Sequence, residues 1–211
     1  MDVIPIRIAL SPDDQYMATV GTDHILRLWS LSGKKLVPKK PVEWKAHLGP
    51  TRSIAFSPNG KLLATAGDDS LAPVKLWDLS GKEQAKIIPS GQARIEQVSF
   101  SPDGQLLATA GVDATARLWT LSGQQVAQFE VYRPKSGPWI RSVSFSPDGK
   151  FLAIGDEPYA KVTLWRIKKL DDLLEQGCEW LQEYLDSHPD DAPKVCPNQQ
   201  ESTEPKTLPP G

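Results

Sequence analysis

Between residues 4 and 166 the chain alternates short apolar runs with clusters of turn-forming residues. At residues 4–10, 51–56, 95–100 and 140–145 every second or third residue is apolar, the spacing of a half-buried strand. Each run stops at Ser-Pro-Asp-Gly or a close variant, beginning at Ser11, Ser57, Ser101 and Ser146. Proline presets φ and glycine supplies a positive φ, so a tight turn is predicted there. A second run follows (LLATAG in two copies), then an Asp-containing turn, then a third run ending at a tryptophan. Leu-Ser-Gly turns the chain again, and a more polar run, QQVAQFEV after Gly123, leads into the next copy. After Arg166 the period becomes helical. Leu170, Leu173, Leu174, Gly177, Cys178, Trp180, Leu181, Tyr184 and Leu185 share one side of a helical wheel, and Asp171, Asp172, Glu175, Glu179, Glu183 and Asp186 the other. An amphipathic helix is predicted over 168–188, with Pro189 just past its end. Residues 189–211 hold six prolines and no aromatic residue, and disorder is expected.

The strand pattern is one unit written four times. The starting serines are 46, 44 and 45 residues apart; the closing tryptophans, Trp29, Trp77, Trp119 and Trp165, are 48, 42 and 46 apart. A fixed period of this size marks a repeat architecture in which each unit buries its face on its neighbours. Four short antiparallel strands per unit make one propeller blade.

On these motifs residues 1–167 resemble the WD-repeat β-propeller family. The resemblance implies an all-β propeller fold, here with three full blades and a fourth of three strands; the amphipathic helix is expected to pack on the last blade in place of its missing strand, ahead of the disordered tail. It also implies a buried hydrogen-bond relay of His, Ser or Thr, Asp and Trp in each blade. The second copy carries all four members, His47, Thr65, Asp69 and Trp77; the first keeps Thr19, Asp23 and Trp29; the third keeps Thr109, Asp113 and Trp119. The fourth retains Trp165 but has Ser136 and Ile154 in the His and Thr places, so it is expected to be the least rigid blade. Four units are fewer than the seven or eight that the family usually closes. Further blades upstream, a strongly tilted four-blade ring, or self-association with another chain would each complete the structure. The segment LLEQGCEWLQEYL resembles the tail of large bacterial WD-repeat signalling proteins, in which the propeller follows an ATPase module. That likeness implies the sensing or partner-docking end of a longer switch.

Composition narrows the partners. Net charge is −2; residues 1–167 carry 20 basic and 16 acidic side chains, residues 168–211 four and ten. A mildly basic body with an acidic tail lacks the basic stripe that nucleic acid requires. Lys34, Lys35, Lys39 and Lys40 fall on the predicted outer strand of the first blade, where lysines protect an edge. The helix is acidic rather than basic on its polar face, which disfavours a membrane surface. No signal peptide is recognisable at the start and no run is long enough to cross a bilayer, so a cytoplasmic protein with reduced Cys178 and Cys196 is expected.

The motifs for phosphate loops, dinucleotide binding, zinc proteases and nucleophile elbows are absent, and His24, His47 and His188 are far apart in the repeat frame. A non-enzymatic protein-interaction scaffold without metal or cofactor is therefore expected. A propeller enzyme with acidic residues in its channel and a truncated remnant are the alternatives. Loops at one end of the blades would hold the binding residues, held by a rigid scaffold. These are Arg52, Asp68, Arg94, Glu96, Val112, Trp139 and Arg141, with Tyr159 in an enlarged loop of the fourth copy.

Overall fold

The computed structural model describes residues 5–33, 35–37, 40–69, 72–87, 94–130, 139–157 and 161–167. Two compact units divide the chain, Met1–Arg166 and Ile167–Gly211, and the described residues lie in the first apart from Ile167. The expected helix over 168–188, both cysteines, the tail and Tyr159 lie outside the described residues.

Four antiparallel sheets follow one another along the chain. The first blade comprises β1 (Pro5–Leu10), β2 (Tyr16–Gly21), β3 (Ile25–Ser32), the two-residue β4 (Lys35–Leu36) and β5 (Val42–Lys45). Both β4 and β5 pair with β3, at different stretches. The second blade is β6 (Thr51–Phe56), β7 (Leu62–Gly67), β8 (Val74–Asp78) and β9 (Glu83–Ile87). The third is β10 (Ile95–Phe100), β11 (Leu106–Gly111), β12 (Thr115–Thr120) and β13 (Gln125–Glu130). Among the described residues the fourth has three strands, β14 (Trp139–Phe145), β15 (Phe151–Glu157) and β16 (Val162–Arg166). The inner strands β1, β6, β10 and β14 are neighbours in sequence order. This is the architecture of WD-type propeller blades.

One side-chain arrangement builds the first turn of all four blades. The hydroxyls of Ser11, Ser57, Ser101 and Ser146 accept the amide of the residue five positions on, at 2.8–2.9 Å. Each hydroxyl also donates to the carboxylate or amide oxygen two residues on, at 2.5–2.7 Å. The last three turns then need Gly60, Gly104 and Gly149 at φ of about 70°. In the first copy Asp14 takes that place at φ 57°, a conformation that Asp tolerates better than most residues.

Consecutive blades bury their sheets on one another. Ala64, Ala66, Val74 and Leu76 of the second blade cluster with Val98, Phe100, Leu107 and Trp119 of the third. Ala18, Leu26 and Leu28 of the first cluster with Ile54, Phe56, Leu63 and Trp77 of the second. The lysine cluster departs from expectation. The outer strand of the first blade is β5, whereas Lys35 lies in β4 and Lys40 in the connection to β5. The polar run after Leu-Ser-Gly divides: β4 holds Lys35, Val42–Lys45 forms the longer ladder with β3, and Lys34 and Lys39 lie outside the described residues.

Candidate functional site

Within each blade the indole of the third strand is tied to the second strand by one hydroxyl. Nε1 of Trp29, Trp77 and Trp119 donates to Oγ1 of Thr19, Thr65 and Thr109 at 2.9, 2.9 and 3.0 Å. In the second blade Thr65 Oγ1 also lies 2.9 Å from His47 Nε2, and all three side chains are buried. Burial, reinforced by the nearby Lys75 ammonium, lowers the His47 pKa to about 4, so its ring is neutral at pH 7. Thr65 Oγ1 thus accepts from Trp77 and meets the neutral His47 ring, tying the segment before the blade to its second and third strands. Gly67 is required beside it: a Cβ there would stand 3.0 Å from the His47 ring and 2.7 Å from the Pro50 carbonyl.

The turn carboxylates sit differently from the relay that the family resemblance implies. Asp69 Oδ2 is 3.8 Å from His47 Nδ1, beyond hydrogen-bond reach, but 3.3 Å from Lys75 Nζ. Asp23 pairs with Arg27 at 2.6 Å and Asp113 with Arg117 at 3.0 Å. The hydrogen bond from Arg27 holds the Asp23 carboxyl below its usual range. Register explains the regularity: Arg27, Lys75 and Arg117 face Thr19, Thr65 and Thr109 across the ladder. In the fourth blade Thr163 faces Ile154, and Nε1 of Trp165 is buried without a hydrogen-bond partner.

The candidate binding residues are brought together at one end of the inner strands. Arg52 of β6 binds Asp68 at 2.7 Å, and its hydrogen bond depresses the Asp68 carboxyl pKa. Arg94, just before β10, lies 3.6 Å from Asp68 and 2.5 Å from Glu96. Arg141 of β14 joins Glu96 at 3.1 Å and also pairs with Glu157. Three blades thus share one alternating ladder of charge. The Trp139 ring stands in it with the guanidinium carbons of Arg141 and Arg94 at 4.8 and 5.7 Å from its centroid, cation–π distances. The ring remains 45% exposed. Val112 contributes its backbone, donating to the Arg94 carbonyl at 3.3 Å. Beside the ladder a polar cleft of about 300 Å³ is lined by Arg7, Arg52, Ser53, Glu96, Gln97 and Arg141. Arg7 donates from Nε to the Arg52 carbonyl at 2.5 Å. Among the described residues, no group of three or more His, Cys, Asp or Glu side chains is placed to hold a metal ion.

The sequence matches the family profile "WD domain, G-beta repeat" at residues 6–30, 39–72, 82–120 and 123–162. The chain belongs to the WD-repeat family. Its relatives include Topless-related protein 3 of Arabidopsis thaliana, 37% identical over 79 residues, which cover 36% of this chain and 7% of that protein. Protein HIR1 of Kluyveromyces lactis is 34% identical over 85 residues, or 34% of this chain and 10% of that one. Striatin-3 of Bos taurus is 33% identical over 81 residues, with the same two coverages. The matched segment therefore spans a tenth or less of these relatives' length. All three are eukaryotic proteins, and their names say nothing of bacterial signalling proteins.

The third-strand cation of these WD repeats is the group that sequence reading missed. Its signal was present: Arg27, Lys75 and Arg117 each stand two residues before the closing tryptophan.

Proposed function

We propose that this chain is a non-enzymatic protein-interaction scaffold whose docking surface is the rim formed by Arg52, Asp68, Arg94, Glu96, Trp139 and Arg141. The observation that carries the reading is the half-exposed Trp139 ring flanked by two arginines, on a ladder that crosses three blades. Exposed Trp and Arg on a rigid support are the residue types that dominate binding energy at protein interfaces. The ladder holds each guanidinium in place before a partner arrives, which lowers the ordering cost of association. Arg7, Arg52, Arg94 and Arg141 outnumber Asp68, Glu96 and Glu157 on this rim, which favours a partner segment with acidic side chains beside an apolar one. The same reading sets the chain in the cytoplasm, at the sensing or docking end of a larger bacterial signalling protein, supported by the likeness of LLEQGCEWLQEYL.

Selection of peptides from a random library on the immobilised chain tests the rim. Acidic-apolar sequences are expected, and Trp139→Ala should weaken their binding about thirtyfold with an unchanged far-ultraviolet spectrum. Selected peptides whose affinity is indifferent to Trp139→Ala and Arg141→Ala would refute the assignment.

A further inference from the structure

Packing between consecutive blades repeats three kinds of contact. Apolar residues of strands two and three of one blade meet the inner strand and tryptophan of the next. An aromatic on the outer strand stacks on the following tryptophan, Trp44 on Trp77 at 5.9 Å and Phe129 on Trp165 at 5.3 Å. An inner-strand amide donates to the side chain of the preceding inner strand, Val98 to Ser53 Oγ at 3.2 Å and Val143 to Gln97 Oε1 at 3.1 Å.

Two faces carry the halves of this pattern uncovered. On the first blade, Ile8 and Leu10 are 61% and 58% exposed, where their counterparts in the third, Val98 and Phe100, are 3% and 8%. With Met17, Thr19, Trp29 and Leu36, Ile8 lines an apolar cleft of about 400 Å³. On the fourth blade, Val162 and Leu164 are 65% and 67% exposed, where Leu26, Leu28, Val74, Leu76, Ala116 and Leu118 are at most 3%. Apolar faces of this kind mark interaction sites.

We propose that these two faces are the halves of one interface and that its occupant is a second copy of this chain. Val162 and Leu164 of one copy seat on Ile8, Leu10 and Trp29 of the other, continuing the contact already made between blades within the chain. The polar contact continues too, because exposed Ser142 stands where Ser53 and Gln97 accept, and Ile8 stands where Val98 and Val143 donate. Applied twice about a two-fold axis, the contact closes four blades from each copy into one ring of eight, within the usual range for propellers. Ile8 also lines the polar cleft beside the charged rim, so the two surfaces adjoin.

Sedimentation velocity on the 211-residue chain tests it with wild type, Ile8→Asp and Leu164→Asp. Wild type should sediment at twice 23.2 kDa and each variant at the single mass. Both side chains are exposed in one copy, so the β-sheet circular dichroism of the variants should be retained. An equimolar mixture of the variants should regain a two-copy species, since each supplies the face that the other has lost. Trp139→Ala should keep the wild-type mass. Should Leu164→Asp lose its β-sheet spectrum, Val162→Lys carries the same expectation. A wild type at the single mass, an open series of higher multiples, or a two-copy species that survives both substitutions would overturn the proposal.

Discussion

At the scale of residues, one hydroxyl decides how well each blade is anchored. Ile154 replaces the threonine that would accept from Trp165, and that indole N–H is buried and unsatisfied. A buried donor without a partner costs about 1–3 kcal/mol. In an ordinary core Val is the better residue, because Thr brings a hydroxyl of the same volume. At residue 154 the order should reverse: chemical denaturation is expected to show Ile154→Thr at least as stable as Ile154→Val. A clear deficit for the Thr variant would show that Trp165 does not seek this hydroxyl. His47 supplies the second test. Its folded pKa of about 4 lies below the ordinary 6.5, so between those values the unfolded chain binds a proton that the folded chain refuses. The stabilisation is complete above pH 6.5 and is lost as pH falls toward 4, a total of about 3 kcal/mol. His47→Gln should be less stable than wild type at pH 7.5 yet flatter in melting temperature from pH 6.5 to 4.5; an unchanged slope would contradict this. The threonines and tryptophans were legible because the repeat prints them at fixed offsets. The carboxylate partners were not, because the turn before the third strand must fold back before Asp23 reaches Arg27, four residues on, and Asp69 reaches Lys75, six residues on.

At the scale of elements, the strands announced themselves by period two and by the Ser-Pro-Asp-Gly turns, whose hydrogen bonds are local and therefore written in sequence. The three-stranded fourth blade was legible for the same reason, because each of its strands carries its own turn signals. Outer strands were harder to place. They bury one face on a single neighbour, so β9 and β13 alternate weakly and the first blade splits this element into β4 and β5. Of the lysines read as an edge strand, Lys35 lies in the short β4 and Lys40 in the connection to β5, since edge protection and a solvated connection select the same residues.

At the scale of the molecule, the second, third and fourth blades bring one charged rim together, and in the proposed function that rim is the docking surface. Which residues share that rim was legible from the loop positions of the repeat. How they pair was not: Arg52 meets Asp68 and Arg94 meets Glu96 within their own blades, but the links from Arg94 to Asp68 and from Arg141 to Glu96 arise only when blades stack. The half-buried pair of Arg52 and Asp68 contributes little stability, about 0–1 kcal/mol, whereas Glu96 is only 7% exposed and depends on its arginine partners. The value of these pairs in this account lies in holding arginines and Trp139 ready for a partner. The most direct measurement is amide hydrogen exchange on the 211-residue chain with and without a saturating rim-selected peptide. Slowed exchange is expected at the starts of β6, β10 and β14 and around Asp68, with β5, β9 and β13 unchanged. Protection centred on the outer strands, with none at Glu96 and Arg141, would contradict it.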